Sequence, residues 1–338
     1  MSEPLRVVAR APGRANLIGD HTDYTGGLVV PMAIDRETIV EGFRTGHEIM
    51  LTSRNEKGAV TVPLDVTDPM ATRPEWGRYV AGVVATLRPT VGFHGAVTSD
   101  LPIGAGLSSS ASLELAVALA LGAPVADSIA LAQLCQAAEH AAVGVPSGIM
   151  DQLVVAAGVE DHALVIDCDT LTFEPVPIPT GLEVTVVHSG ASRALATSAY
   201  AERVGQCAEA EAQIGSLRHA DRRAADEIVD PVVRARARHV VTENARAVAF
   251  VEALRSDDLD TAGRLMVESH HSLRDDYEVS TAKLDTIVDE LLDTQGVFGA
   301  RLTGAGFGGC VVAIGRPGAL VGRGWTVRAA HGASVSTG

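Results

Sequence analysis

Cysteines at the spacing of a zinc site or disulfide framework are missing from this chain. Its four cysteines, Cys135, Cys168, Cys207 and Cys310, are scattered with no CxxC among them, which fits a reducing, cytoplasmic setting. No apolar run is long enough to cross a bilayer: the most apolar, Leu115 to Ala126, is short and holds Gly122 and Pro124. No membrane role is expected, and the opening MSEPLRVVARAPGR lacks the apolar stretch of a secretion leader. Positive charge is in deficit, with 27 Lys and Arg against 42 Asp and Glu and a formal net charge of −15. A nucleic-acid partner is therefore not expected, because phosphate backbones are bound by basic surfaces. Repeats and low-complexity tracts are absent too.

What is present is an ordinary globular composition, 46% hydrophobic and 20% charged over 338 residues. That length suits two domains or one large one. Short β-branched segments at Thr38–Glu41, Ala59–Val62 and Gly95–Thr98 predict strands, and so does the apolar run inside Asp161–Asp169. Ala- and Leu-rich runs predict helices over Ser108–Leu121 and Ser128–Ala142. Leu171–Gly181, with Pro175, Pro177 and Pro179, reads as a linker. After a strand at Glu183–Val187, Thr197–Asp257 reads as mostly helical. Helix, glycine turn and strand then follow at Ala282–Thr294, Gly304–Gly309 and Cys310–Ile314. The expectation is a two-domain α+β protein, residues 1–175 and 176–338.

Three glycine-punctuated clusters carry the chemistry. The first runs from Pro12 to Tyr24 and packs Arg14, Asn16, Asp20, His21, Asp23 and Tyr24 into a dozen positions. Such polar density is costly in a core; it suits either a surface loop or a sugar site, where carboxylates accept from hydroxyls. The second, Leu101 to Ser112, leads small residues straight into a helix, where unpaired N–H groups and the dipole favour phosphate. It lacks the lysine of a Walker loop, and a serine capping a helix would read the same. The third, Thr303 to Gly309, contains GxGxxG by count, but a strand follows it, against the dinucleotide arrangement. Asp151, in Ser147–Gln152, stands at the edge of an apolar run, twelve residues after Glu139. As a lone residue it would also serve as a helix cap.

In this order, the clusters PGRANLIGDHTDYTGG, LPIGAGLSSSASLE and LTGAGFGGC resemble the GHMP kinases, and PSGIMDQL and ESHHSLRDDYEVS resemble their galactokinase branch. The likeness covers nearly the whole chain. It implies the two-domain GHMP kinase fold, with an N-terminal ribosomal protein S5 domain 2-like part and a C-terminal ferredoxin-like α/β part. It also implies an ATP- and Mg²⁺-dependent phosphotransferase whose partner is a small-molecule sugar or cyclitol; a monomer is expected, although the sequence does not itself give the oligomeric state. Gly104, Ala105, Gly106, Leu107, Ser108, Ser109, Ser110, Ala111 and Ser112 would cradle the ATP phosphates, with Trp76 and Tyr79 near the adenine. Ser110 and Glu139 would hold the metal. Arg14, Asp20, His21, Asp23, Gly148, Asp151 and Tyr200 match the sugar-binding positions, with Asp151 as candidate base and Arg14 beside it.

The chain departs from the family pattern on the substrate side. Asp20 stands where galactokinases carry Glu, whose carboxylate would contact the hydroxyl on the sugar's C6. The residues around Tyr200 also differ from the usual SEYNxRR. Galactose phosphorylation at C1 leads the readings. A galactose analogue altered at C6, or a cyclitol, is the alternative, and a non-catalytic sugar sensor is a third.

Overall fold

Alternating apolar and polar residues shape the first strand, and its later residues carry it inward. The structure, a computed structural model, describes residues 5–102, 105–190 and 196–338. Strand β1 (Leu5–Asn16) buries Val7, Ala9 and Ala11 on one face, then becomes buried throughout from Ala11 to Asn16. Strands β2 (Leu28–Val29), β3 (Pro31–Arg44), β4 (Glu48–Ser53) and β5 (Val60–Pro63) follow, with helix α1 (Gly77–Leu87) and strand β6 (Phe93–Ser99). Helices α2 (Ser109–Leu121), α3 (Ser128–Val143) and α4 (Met150–Ala157) precede β7 (His162–Asp167), β8 (Thr172–Pro177) and β9 (Glu183–His188). A helical stretch comprises α5 (Ala196–Ile214), α6 (Arg222–Asp226), α7 (Pro231–Arg255), α8 (Leu259–Asp275) and α9 (Ala282–Leu292). Strands β10 (Val297–Thr303), β11 (Cys310–Gly315), β12 (Trp325–Val327) and β13 (Ser334–Thr337) end the chain.

One sheet runs β13-β1-β3-β6-β4-β5, a second β10-β11-β9-β12, and a third β2-β7-β8. All pairings are antiparallel except β4 with β6. Helices α2 and α4 pack on β1 and β3, which sets the starts of both helices beside the inner end of β1. Helix α2 is apolar on all sides and buried from Leu115 to Leu121, as a helix between a sheet and other helices must be. Among the described residues no helix is long and apolar enough to cross a membrane, and no disulfide joins the four cysteines.

The proline-rich stretch expected as a linker is instead strand β8, with Pro175 opposite Leu164 and Pro177 opposite His162. Proline is tolerated because β8 is the edge of its sheet, where a missing N–H breaks no ladder. Residue 175 therefore lies inside a strand, and the last strand, β13, returns to pair with β1.

Near the site β1 changes register between Pro12 and Gly13. Such bulges re-aim side chains. A Cβ on Gly13 would lie 2.7 Å from the Leu107 carbonyl and 2.3 Å from Leu101 Cδ2, so glycine lets the second cluster press on the strand. Helices α1 and α3 approach as closely: a Cβ on Gly82 would meet the Ala138 carbonyl at 2.3 Å. Because that neighbour is backbone, Gly82→Ala must push α3 away and is expected to destabilise by roughly 1–3 kcal/mol. Urea melts check this, and an unchanged midpoint would contradict the packing described.

Candidate active site

Arg14 is the hinge of the site. Its Nε and Nη2 donate to Asp151 Oδ1 and Oδ2, both at 2.9 Å, forming a two-point ion pair between β1 and the first turn of α4. Its Nη1 donates to the Gly106 carbonyl at short range, and its backbone N–H donates to Leu107 O at 3.1 Å. The Arg14 side chain is only 5% exposed, whereas Asp151 keeps 28%, so the carboxylate faces a cavity while the guanidinium lies behind it. Asp151 does not cap α4; that position belongs to Ile149.

The serines of the second cluster divide their work by helical position. Ser108 precedes α2 with a left-handed backbone, φ 58°, and its hydroxyl donates to Asp151 Oδ2 rather than capping the helix. Ser110 donates to Glu139 Oε1 at 2.9 Å. Ser112 is fully buried and ties α2 to β1 through Ala11 O at 2.7 Å. Ala111, Ala105 and Leu107 are buried as well, which leaves Ser109 and Ser110 as the part-exposed residues of the first helical turn. Gly104 lies outside the described residues.

Glu139 also accepts from Ser147 Oγ at 2.8 Å and Gln152 Nε2 at 3.0 Å. Among the described residues no three His, Cys, Asp or Glu side chains are set to hold an ion by themselves. The oxygen pair of Ser110 and Glu139 nevertheless suits Mg²⁺, which takes few protein ligands and completes its shell with phosphate and water. Burial, with Glu139 and Glu114 nearby, pushes the Tyr79 hydroxyl up to about 12. Trp76, at the N-cap of α1, is buried in the core, and its indole N–H has no hydrogen-bond partner among the described residues.

All seven expected sugar-side residues line one cavity of about 210 Å³, together with Ser110 and Glu139. Asp20 sits at its floor, where Arg301 Nη2 donates to Oδ2 at short range and Gly304 N–H donates to Oδ1 at 2.9 Å. Burial raises its pKa, against the opposing pull of Arg301 and Arg14. Burial also drives Asp23 up to about 7, helped by the charges of Asp151 and Asp20. Gly148 abuts Asp23 so closely that a Cβ would lie 1.8 Å from Oδ2. Left-handed backbones at His21, Ser108 and Phe307 place one strained residue in each glycine-punctuated cluster.

Residues 1–42 match the galactokinase galactose-binding signature, residues 78–159 the N-terminal domain of GHMP kinases, and residues 250–323 their C-terminal domain. The galactokinase of Canis lupus familiaris is 44% identical over 331 residues, covering 93% of this chain and 84% of that protein. The chain belongs to the galactokinase family of GHMP kinases. Another member, from Roseiflexus sp. (strain RS-1), is 45% identical over 335 residues, covering 91% of this chain and 83% of its own. The galactokinase of Lactococcus lactis, solved in complex with galactose, superimposes with a TM-score of 0.87 at 33% identity, covering 97% and 95% of the two chains. Mevalonate kinase of Methanococcus jannaschii shares the fold, with a TM-score of 0.68 at 21% identity. Membership makes this galactokinase-family chain a phosphotransferase with an alcohol group as acceptor, and implies ATP as the donor.

Several residues behind this galactokinase-family site carry no motif that singles them out. Arg301 lies in β10 and is wholly buried; a lone arginine before a glycine loop was its one sequence signal. Glu243, on α7, accepts from Gly19 N–H at 3.0 Å and Ser269 Oγ at 2.5 Å, and Arg246 donates to it at 2.7 Å. Asn244 accepts from Leu28 N–H at 2.8 Å. Glu114 is fully buried and bonded to Gln152 at 3.4 Å; burial, and then the charge of Glu139, raise its pKa well above the usual carboxylate range.

Two outcomes follow from Gly148 and Asp23. Gly148→Ala should raise the KM for the sugar at least tenfold while the KM for ATP stays within twofold, because the new methyl displaces Asp23; steady-state kinetics decide it. Asp23 is protonated in the fold up to about pH 7 but ionises near 3.8 when unfolded. Its contribution to stability is therefore complete below pH 3.8 and lost as pH rises towards 7. Asp23→Asn should thus melt higher than the parent at pH 8, with the gap narrowing towards pH 4. Parallel melting curves would contradict the assignment.

Proposed function

We propose that this chain transfers the γ-phosphoryl group of ATP to the C1 hydroxyl of galactose, giving α-D-galactose 1-phosphate and ADP in the cytoplasm. The observation that carries this reading is the Arg14–Asp151 pair at the meeting point of the sugar-side cavity and the start of α2. Phosphoryl transfer needs alignment and charge stabilisation more than covalent chemistry. Free N–H groups in the first turn of α2, with the helix dipole behind them, receive the phosphates. Ser110 and Glu139, hydrogen-bonded to each other beside the cavity, would hold Mg²⁺, which would supply neutralisation of phosphate charge.

Asp151 faces the cavity with both oxygens already oriented by Arg14, and Ser108 adds a third bond. Its carboxylate accepts the hydrogen of the attacking hydroxyl, aims that oxygen at phosphorus and takes the proton as the bond to phosphorus forms. Arg14 remains beside the carboxylate, and its charge balances the one that develops on the transferring group. Asp23, Asp20, His21, the Gly148 backbone and Tyr200 hold the remaining hydroxyls. Asp151→Asn keeps the shape but cannot take the proton. It should lose about 10²–10⁴-fold in kcat while binding ATP as the parent does. Coupled ADP release and calorimetry test this; a folded Asn variant with near-parental turnover would overturn the role.

A second reading is favoured by Asp20. Both of its oxygens already serve Arg301 and Gly304, so the floor offers less to a substrate hydroxyl than a longer acid would. A sugar altered at C6, or a cyclitol, would fit that floor. ADP release across galactose, 6-deoxygalactose, galactosamine, glucose, arabinose and several cyclitols separates the two. Fast turnover of galactose alone supports the first reading, and poor galactose beside another good substrate supports the second.

A further inference from the structure

His21 faces the substrate cavity, and whether it offers a hydrogen or accepts one is decided behind it. Burial, and then the neighbouring His239, press its pKa down to about 3, so at neutral pH the ring carries a single N–H. Nε2 is buried with no partner at full hydrogen-bond geometry among the described residues, and the Ala305 backbone, which lines the same cavity, attracts the ring's proton. Nδ1 lies 3.0 Å from the Tyr24 hydroxyl. That hydroxyl meets the Tyr277 hydroxyl at short range, and Tyr277 Oη lies 3.1 Å from Cys207 Sγ. The loop after β1, the segment after α8 and helix α5 thus contribute to one unbranched line of four side chains.

The line has three contacts, and each takes one hydrogen. Run outward from histidine, Nδ1–H would donate to Tyr24, Tyr24 to Tyr277, and Tyr277 to a thiol, which is a weak acceptor. Run inward, the Cys207 S–H donates to Tyr277, Tyr277 to Tyr24, and Tyr24 to the bare Nδ1, a strong acceptor. Of these two orders, only the inward one gives each of the three hydrogens within the line an oxygen or nitrogen acceptor. The donors keep their hydrogens: burial lifts the Cys207 thiol to about 11 and both tyrosines well above 10.

We propose that Cys207, Tyr277 and Tyr24 form a directed hydrogen-bond wire that holds His21 as the Nε2–H tautomer, making it a fixed donor to a substrate oxygen. The three are positioning residues, and the part that concerns substrate rests on the sugar-kinase reading. A hydroxyl or other oxygen at that position of the substrate is accepted. An ammonium there, which has hydrogens but no lone pair, is rejected because two donors would face each other.

The test is ¹⁵N NMR of the histidine-labelled, ligand-free protein, which distinguishes the two tautomers, followed by kinetics. The parent should show His21 protonated on Nε2. Tyr24→Phe should shift the ring towards Nδ1–H and raise the sugar KM roughly three- to tenfold, the worth of one hydrogen bond, with the KM for ATP unmoved. Cys207→Ala should move both readouts in the same direction by less, and Cys207→Ser, which restores a donor, should reverse that change. An Nδ1–H ring in the parent would overturn the wire. So would a Tyr24→Phe protein with parental tautomer and sugar KM. The NMR result stands whether or not any sugar is phosphorylated, so a failed kinase assay would remove the functional reading and leave the wire to be judged on its own.

Discussion

The guanidinium of Arg14 ties together the parts on which the rest of the site depends. It is buried, so it must be paired and fully bonded to be tolerated away from water. Asp151 gives it two bonds, and the Gly106 carbonyl a third. Those same bonds fix α4 and the second glycine-punctuated cluster relative to β1, so one requirement of burial sets the spacing between the start of α2 and the cavity-facing carboxylate. The bulge at Pro12 and Gly13 turns the side chain to where this can happen.

A second buried pair, Asp20 with Arg301, does for the substrate floor what Arg14 does for the reacting end. It joins the loop after β1 to β10, and Glu243 supports the same loop through Gly19 N–H. The second sheet and its helices therefore reach the cavity through residues 19 and 20. This explains how a site built mainly on the first half of the chain is held in shape by the second.

Contiguous chemistry was legible in the sequence. The clusters at 12–24, 101–112 and 303–309 declared themselves through glycine and polar density, while the seven sugar-side positions came from the family resemblance and line one cavity. Partnerships between distant residues were not. Asp20 meets Arg301 across 281 positions and Tyr24 meets Tyr277 across 253, and nothing local marks either. Strand β8 was hidden by its prolines, because an edge strand and a linker share that composition. Ser112 shows the limit of a motif: two residues beyond Ser110, it points into the protein and bonds Ala11.

Helix α2 is packed on every side with small and apolar residues, so it has no room to slide or rotate. The start of α2 is consequently hard to alter by mutation, since a change in the helix disturbs the core and the edge of the cavity together. Residue 20 is held instead through Arg301 and Gly304, in β10 and the loop after it. A change at that floor would therefore reshape the cavity while leaving the packing of the helix as it is.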